Sequence, residues 1–296
     1  MFNKNTDPLP AGKPLYGIVF MILMTVCFAS LDAAAKHLSS ELPLLMVVWG
    51  RYVFHFLFVT LFFFRKASGN IIQTKKIKLQ ILRSILIVCA GISFWGALMF
   101  MPLTDCFVIA FTSPLLVTAL SVPILGENVG IHRWGVVMVG LLGVLIVMRP
   151  GMGVVQWVSA LPLITALFYA SLQITTRILG QSDNALTTLF YSGAGGLILS
   201  SISVLFVWVS PTFEQWLVFL LLGFLGTMGH YLMIRAFEFA PVSLLAPFDY
   251  TTLIWATILG FILFGDLPDT WTISGAIIIT SSGLYLMMHE RRFGTA

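Results

Sequence analysis

Charge is what this sequence has least of: 9% of its 296 residues are Asp, Glu, Lys or Arg, where a soluble domain carries about a quarter. With 58% hydrophobic residues, that shortage excludes an ordinary water-soluble enzyme. The net charge of +4 is small for this length and gives no reason to expect nucleic acid as a partner. Cysteine is scarce as well. Cys27, Cys89 and Cys106 are an odd number set singly in apolar runs, without CxxC or Cys/His spacing, so they read as small core residues and not as disulfides or metal ligands. Long polar connections are missing too. The one sizeable connection, RKASGNIIQTKKIK at 65–78, leaves no room for a soluble catalytic domain. HExxH, GxSxG, a phosphate-cradling Gly loop and paired acids in a short motif are all absent, so no catalytic residue, cofactor or metal is expected.

What is present is apolar sequence in runs of about 20 residues, each long enough to cross a hydrocarbon layer of about 30 Å as a helix. Breaks at Pro, Gly and charged clusters divide the chain into ten predicted spans: 14–36, 43–64, 79–101, 104–125, 130–149, 156–179, 184–209, 213–239, 241–264 and 269–289. The expected fold class is an all-α polytopic membrane protein. The first span is too long for a secretion signal, and Asp32 and Lys36 flank its AAA at 33–35. A cytoplasmic N-terminus puts thirteen Lys and Arg at cytoplasmic ends and leaves Lys36 and Arg149 outside, with Arg51 inside a span. Both termini are therefore expected in the cytoplasm, with the chain in the inner (plasma) membrane.

The chain also repeats itself. FASLDAAAKHL at 28–38 is matched by YASLQITTRIL at 169–179. Pro102-x-Thr104 followed by Gly126-Glu127 is matched, at the same internal spacing, by Pro241-x-Ser243 followed by Gly265-Asp266. Five spans per copy is an odd number, so the second copy must lie upside down relative to the first, the construction of alternating-access carriers. The expected domains are 14–150 and 156–290, two inverted five-helix repeats.

LGENVGIHRWGVVMVGLLGVLIVMRPG (125–151) and the stretch 246–292, from APFDYTTLIW to MMHERR, resemble the two halves of an EamA-type member of the drug/metabolite transporter superfamily. SLDAAAK (30–36), the Arg of WGRYVFHF (49–56) and ILRSILIVCAGISFWGALMFMPLT (81–104) are most similar to its S-adenosylmethionine-uptake and riboflavin carrier branch. The resemblance implies ten helices around a central solute cavity and a secondary carrier for a small organic metabolite, such as an amino acid or derivative, an adenosyl compound or a vitamin. It does not fix the solute or the direction. Small multidrug relatives depend on a Glu in their first span; here Asp32 is the nearest counterpart, which argues against cationic-drug export.

Ionised groups in mid-bilayer cost roughly 2.5 to 3.5 kcal/mol on insertion scales, so each must face protein, water or a partner. Asp249 is expected about 12 Å along its helix from the cytoplasmic end, and Arg51 about 12 Å from the outer end with His55 one turn deeper. Trp95, His230 and Tyr231 are expected far from span ends, and Tyr250 adds aromatic surface beside Asp249. These seven are the candidate solute-binding residues, with Asp249 and Asp32 as candidates for coupling. Each has a structural alternative: Asp249 as an acceptor of hydrogen bonds from neighbouring helices, Arg51 as a snorkelling anchor or the partner of Asp32, and Asp32 with Lys36 as a local ion pair. For His230 the alternative is a neutral core histidine, and for Trp95 plain packing. Gly223, Gly226 and Gly229 read as a close packing face. Pro102 and Pro241 are candidate hinges of the two halves. Asp249 has Ala110 as its repeat mate, so the acid lies outside the shared scaffold. The expected partners are a small-molecule substrate and the lipid bilayer, with monomer and homodimer both open. A channel or an intramembrane enzyme is the competing class; saturable uptake with counter-transport separates a carrier from either.

Overall fold

The computed structural model describes residues 14–63, 72–125, 130–149, 157–180, 182–240 and 242–293. Among them every regular element is an α-helix. The first half holds α1 (Pro14–Ser39), α2 (Leu44–Phe63), α3 (Ile77–Leu98), α4 (Leu103–Ala110), α5 (Ser113–Leu125) and α6 (Ile131–Met148). The second holds α7 (Ala160–Leu179), α8 (Ala185–Val204), α9 (Phe213–Phe239), α10 (Val242–Asp249), α11 (Thr251–Phe264) and α12 (Thr270–Phe293). Eight stretches are long and apolar enough to cross a membrane. Neither α7 nor α12 is in that group. The reason in α7 is its polar content: Tyr169, Ser171, Gln173, Thr175, Thr176 and Arg177 lower the hydropathy of an otherwise apolar helix.

Two predicted spans are broken in the middle, at matched places. The expected single span 104–125 is instead α4 and α5, separated at Phe111 and Thr112, and the expected span 241–264 is α10 and α11, separated at Tyr250. Proline sits near each break. Pro114, in the first turn of α5, has no N–H to offer the Ala110 carbonyl, and Pro247 removes a rung inside α10. A threonine hydroxyl then takes up a carbonyl at each break: Thr112 donates to Ile109 at 2.7 Å and Thr251 donates to Phe248 at 2.6 Å. The four residues are pairwise mates at the spacing that pairs Pro102 with Pro241.

Packing follows the same exchange of halves. Helix α1 lies along α9, and its mate α7 lies along α3, the mate of α9. The pair α2 and α9 is matched by α8 and α3, and α1 with α11 by α7 with α5. Two contacts map onto themselves, α2 with α8 and α6 with α12. The core between these helices is apolar and includes Leu31, Met46, Trp95, Leu98, Leu103 and Phe219. Glycines let the closest pairs meet. A methyl at Gly223 would stand 2.6 Å from the Phe54 carbonyl carbon and 2.7 Å from the His55 nitrogen, while Gly226 faces Leu31 and Gly229 faces Phe28. The three glycines are thus the close packing face of α9 against α1 and α2.

Charged groups at the helix ends tie the two halves together. Lys36 donates 2.9 Å bonds to Asp266 and to the Met101 carbonyl, and Arg149 pairs with Asp269. The expected local pair of Lys36 with Asp32 is therefore not what forms: Lys36 reaches past its own helix to the turn before α12, and Asp32 points elsewhere. At the other end, Asp183 accepts from Thr74, from Gln80 at 2.8 Å and from the Lys75 nitrogen at 3.4 Å. Slight burial acts to raise the Asp183 pKa, but the hydrogen bonds from Thr74, Gln80 and Lys75 outweigh it and hold the carboxyl below its ordinary value.

Candidate functional site

The first-half helices α1, α2 and α3, with α9 of the second half, bring most of the candidate residues together. The Trp95 indole nitrogen donates to Asp32 Oδ1 at 2.7 Å, and the same ring lies under the Arg51 guanidinium, 5.2 Å from its carbon. Asp32 and Arg51 therefore share one tryptophan instead of pairing with each other. Trp95 was expected far from a span end, but α3 stops at Leu98, so Trp95 sits one turn from its terminus. One turn along α2 from Arg51, the buried His55 is 3.1 Å from the Thr227 hydroxyl on α9, and its ring lies 5.7 Å from that of His230. Phe28 of α1 packs on the other side of His230 at 5.1 Å. The local cause of this gathering is Gly226: a bare backbone there leaves space for Arg51 and His55 of the helix opposite, 3.7 Å from where its side chain would be.

A second group forms at the broken spans. Asp249 is the last residue of α10, and Tyr250 occupies the break itself. The Tyr250 ring lies 5.0 Å from that of Phe111, its repeat mate in the other break. The two interruptions thus touch, at the place where the halves exchange. Among the described residues the Asp249 carboxylate has no hydrogen-bond partner; its backbone carbonyl accepts from Thr252 at 2.7 Å. Tyr250 Oη and Trp255 Nε1 are buried without a partner.

Tyr169 on α7 connects the two groups, lying within electrostatic reach of Asp32, Arg51, Tyr52 and Asp249. It also shows 43% of its surface. Tyr231 is half-buried on α9 beside His230. Pro102 precedes α4 in extended backbone, whereas Pro241 lies outside the described residues. Sequence reasoning missed Tyr52, Tyr169, Thr227 and Arg83. The Arg83 side chain, placed by charge alone at a cytoplasmic end, turns into the bundle and bonds to Thr176 at 2.7 Å and to Ser192. The aromatic of YASL at 169 was visible as a repeat signal; its companion, the aromatic of FASL at 28, packs on His230, and that correspondence was the available clue.

Comparison with known proteins adds the following. The sequence profile described as the EamA-like transporter family matches residues 15–149 and again 156–288. The chain is 27% identical over 276 residues to a S-adenosylmethionine uptake transporter of Rickettsia bellii (strain RML369-C), covering 93% of this chain and 94% of that one. It is 26% identical to a riboflavin transporter of Vibrio cholerae, covering 94% and 95%, and 22% identical to a pseudopaline exporter of Pseudomonas aeruginosa, covering 89% and 93%. A solved crystal structure superposes with a TM-score of 0.65 at 15% identity, covering 96% of this chain and 98% of its own. That likeness concerns the fold alone.

Proposed function

Because the chain belongs to the EamA-like transporter family, we propose that this multi-pass membrane protein is a secondary carrier moving a small organic metabolite by alternating access through the space between its halves. The relatives named for uptake of S-adenosylmethionine and riboflavin, and for export of pseudopaline, favour a polyfunctional solute: an amino acid derivative, an adenosyl compound or a vitamin. Ten spans in two inverted repeats, 14–150 and 156–290, accommodate the matched breaks and matched packing, with α4–α5 and α10–α11 each forming one interrupted span. The orientation drawn from Lys and Arg puts both termini in the cytoplasm and the protein in the inner membrane.

The observation that carries this reading is the contact of Phe111 with Tyr250 beside an unpartnered Asp249. Interrupted helices free backbone carbonyls and place polar groups at mid-membrane only where they line a cavity. Asp249 then binds a cationic group of the solute or carries a coupled proton; Asp32 is the second candidate for coupling. Arg51, His55, Trp95, His230, Tyr231 and Tyr250 line the solute's path, and Pro102 and Pro241 act as hinges. Uptake into proteoliposomes tests the proposal: radiolabelled S-adenosylmethionine, methionine and riboflavin are offered in turn, and saturable uptake with counterflow is expected for at least one. Unsaturable conductance or chemical conversion instead would refute it. Cysteine labels at Ser68 and Ala296 test the orientation, since reaction of either from outside intact cells contradicts it.

A further inference from the structure

Arg51 is 9% exposed, and its Nε has no hydrogen-bond partner. Among the described residues no ion pair or hydrogen bond reaches the rest of its guanidinium either. The ring faces of Tyr52 and Trp95 lie against it, each 5.2 Å from the guanidinium carbon. The nearby acid, Asp32, turns Oδ1 to the Trp95 indole. Two glycines keep the guanidinium unobstructed: a side chain at Gly91 would stand 3.6 Å from Nη1, and one at Gly226 3.7 Å from Nε. Beside it the Tyr52 hydroxyl is also buried without a partner.

A cation at this depth whose buried Nε meets no acceptor is costly. A site left in that state is made for an anion that arrives and leaves. The planar fork of a guanidinium matches a carboxylate bidentately, and a tyrosine hydroxyl supplies one more donor. The charge around it narrows the choice. Asp32 is held by the same Trp95 ring that lies under Arg51, so a doubly charged phosphate would meet a like charge beside the site. A lone anion would meet it too, unless the molecule carried its own cation.

We propose that Arg51 and Tyr52 hold a carboxylate of the transported solute, and that the solute is an amino-acid-type zwitterion whose cationic group faces the interior acids. This inference rests on the carrier reading, and its test separates the two. S-Adenosylmethionine and its decarboxylated form differ only in the group at issue, so both are titrated against the purified full chain by tryptophan fluorescence, with methionine and riboflavin as further probes. S-Adenosylmethionine is expected to bind at least about tenfold more tightly than its decarboxylated form, the size of a lost charge-assisted bidentate bond. In Arg51→Gln the two should bind within about twofold of each other, and Arg51→Lys should keep part of the preference. Because the comparison of probes on the unaltered protein needs no variant, a misfolded Arg51→Gln does not spoil it. Equal binding of the two forms by the unaltered protein overturns the proposal, as does a preference that survives in Arg51→Gln, or failure of both S-adenosylmethionine and methionine to bind. Saturable riboflavin uptake without carboxylate binding would leave the carrier standing and remove the anchor. A carboxylate preference in binding without counterflow of any solute would do the reverse.

Discussion

The two halves of this protein agree in backbone and disagree in chemistry. The order of the helices, the two mid-span breaks, the threonine bonds at those breaks and the packing pairs all survive exchange of one half for the other. The candidate site residues of the interior do not. At the spacings that align the halves, Asp32 is matched by Gln173, Arg51 by Ser192, His55 by Gly196, Trp95 by Ile234, Asp249 by Ala110 and His230 by Gly91. A scaffold used twice constrains the positions that pack; charges in a membrane interior cost free energy each time they are placed. The mates are small, apolar or uncharged, so that cost is met once and the interior becomes chemically one-sided.

The sharpest break of that comparison is at Asp249. Asp249→Asn keeps the shape and removes the charge, and reconstituted transport is expected to fall by roughly tenfold or more, as for loss of a group acting directly on proton or solute. Ala110→Ser, at the mate, should leave the rate within about twofold. Comparable losses at both positions, measured as initial rates per inserted protein, would mean that the shared scaffold and not the acid sets transport.

A second contrast concerns the glycines that let α2 meet α9 and α3 meet α8. Gly223 faces the backbone of Phe54 and His55, at 2.6 and 2.7 Å from an added methyl; at the equivalent crossing Gly195 faces the Ser84 side chain, Cβ at 2.4 Å and hydroxyl at 2.5 Å, with the Ser84 backbone no nearer than 3.9 Å. At Gly223 the methyl would meet main chain directly, whereas at Gly195 it would meet one small side chain whose hydroxyl can rotate away. Gly223→Ala should therefore destabilise by about 1–3 kcal/mol, and Gly195→Ala by less, read as thermal midpoints in detergent. The reverse order would show that the α3–α8 contact is the less yielding one. Pro102→Ala follows, with transport expected to slow a few-fold while binding of the same solute is unchanged; an unaltered rate removes Pro102 as a hinge.

Much of this was legible in the sequence, for identifiable reasons. Apolar runs of fixed length and a repeated Pro-x-Thr/Ser report the scaffold directly, because membrane-crossing and repetition leave periodic marks. Asp249 and Arg51 announced themselves because a charge in an apolar run has few excuses. Partners across the bundle were not legible. Lys36 and Asp32 are one turn apart on α1, and nothing local says that Lys36 turns to Asp266 while Asp32 turns to Trp95. The mid-span breaks were half visible: Pro247 signalled one, whereas Pro114 lay in a run apolar enough to be taken as continuous helix. Tyr169 reads as an ordinary span residue until α7 is placed opposite α1.

The smallest expected effect lies at the ends of the bundle. The start of α3 is tied to the turn before α8 through Asp183, with bonds from Thr74, Gln80 and Lys75. The equivalent tie, between the start of α9 and the turn before α2, is one exposed bond from Gln215 to Glu41 at 3.0 Å. The comparison predicts that pH acts on the first more than on the second. Asp183 is held below its ordinary pKa by bonds to its charged form, so its stabilisation is complete above the unfolded carboxylate value near ~3.9 and is lost as pH falls through the depressed folded value. The group lies near the surface, and screening limits the effect to under about 1 kcal/mol, or roughly 2 °C in thermal midpoint. The difference in midpoint between the unaltered protein and Asp183→Asn should be constant from neutral pH down to about 4 and shrink below it. Glu41→Gln should show no comparable pH-dependent difference. A larger acid-sensitive difference for Glu41→Gln than for Asp183→Asn would mean that the single bond at Glu41, and not the triple one at Asp183, is the stronger tie between the halves.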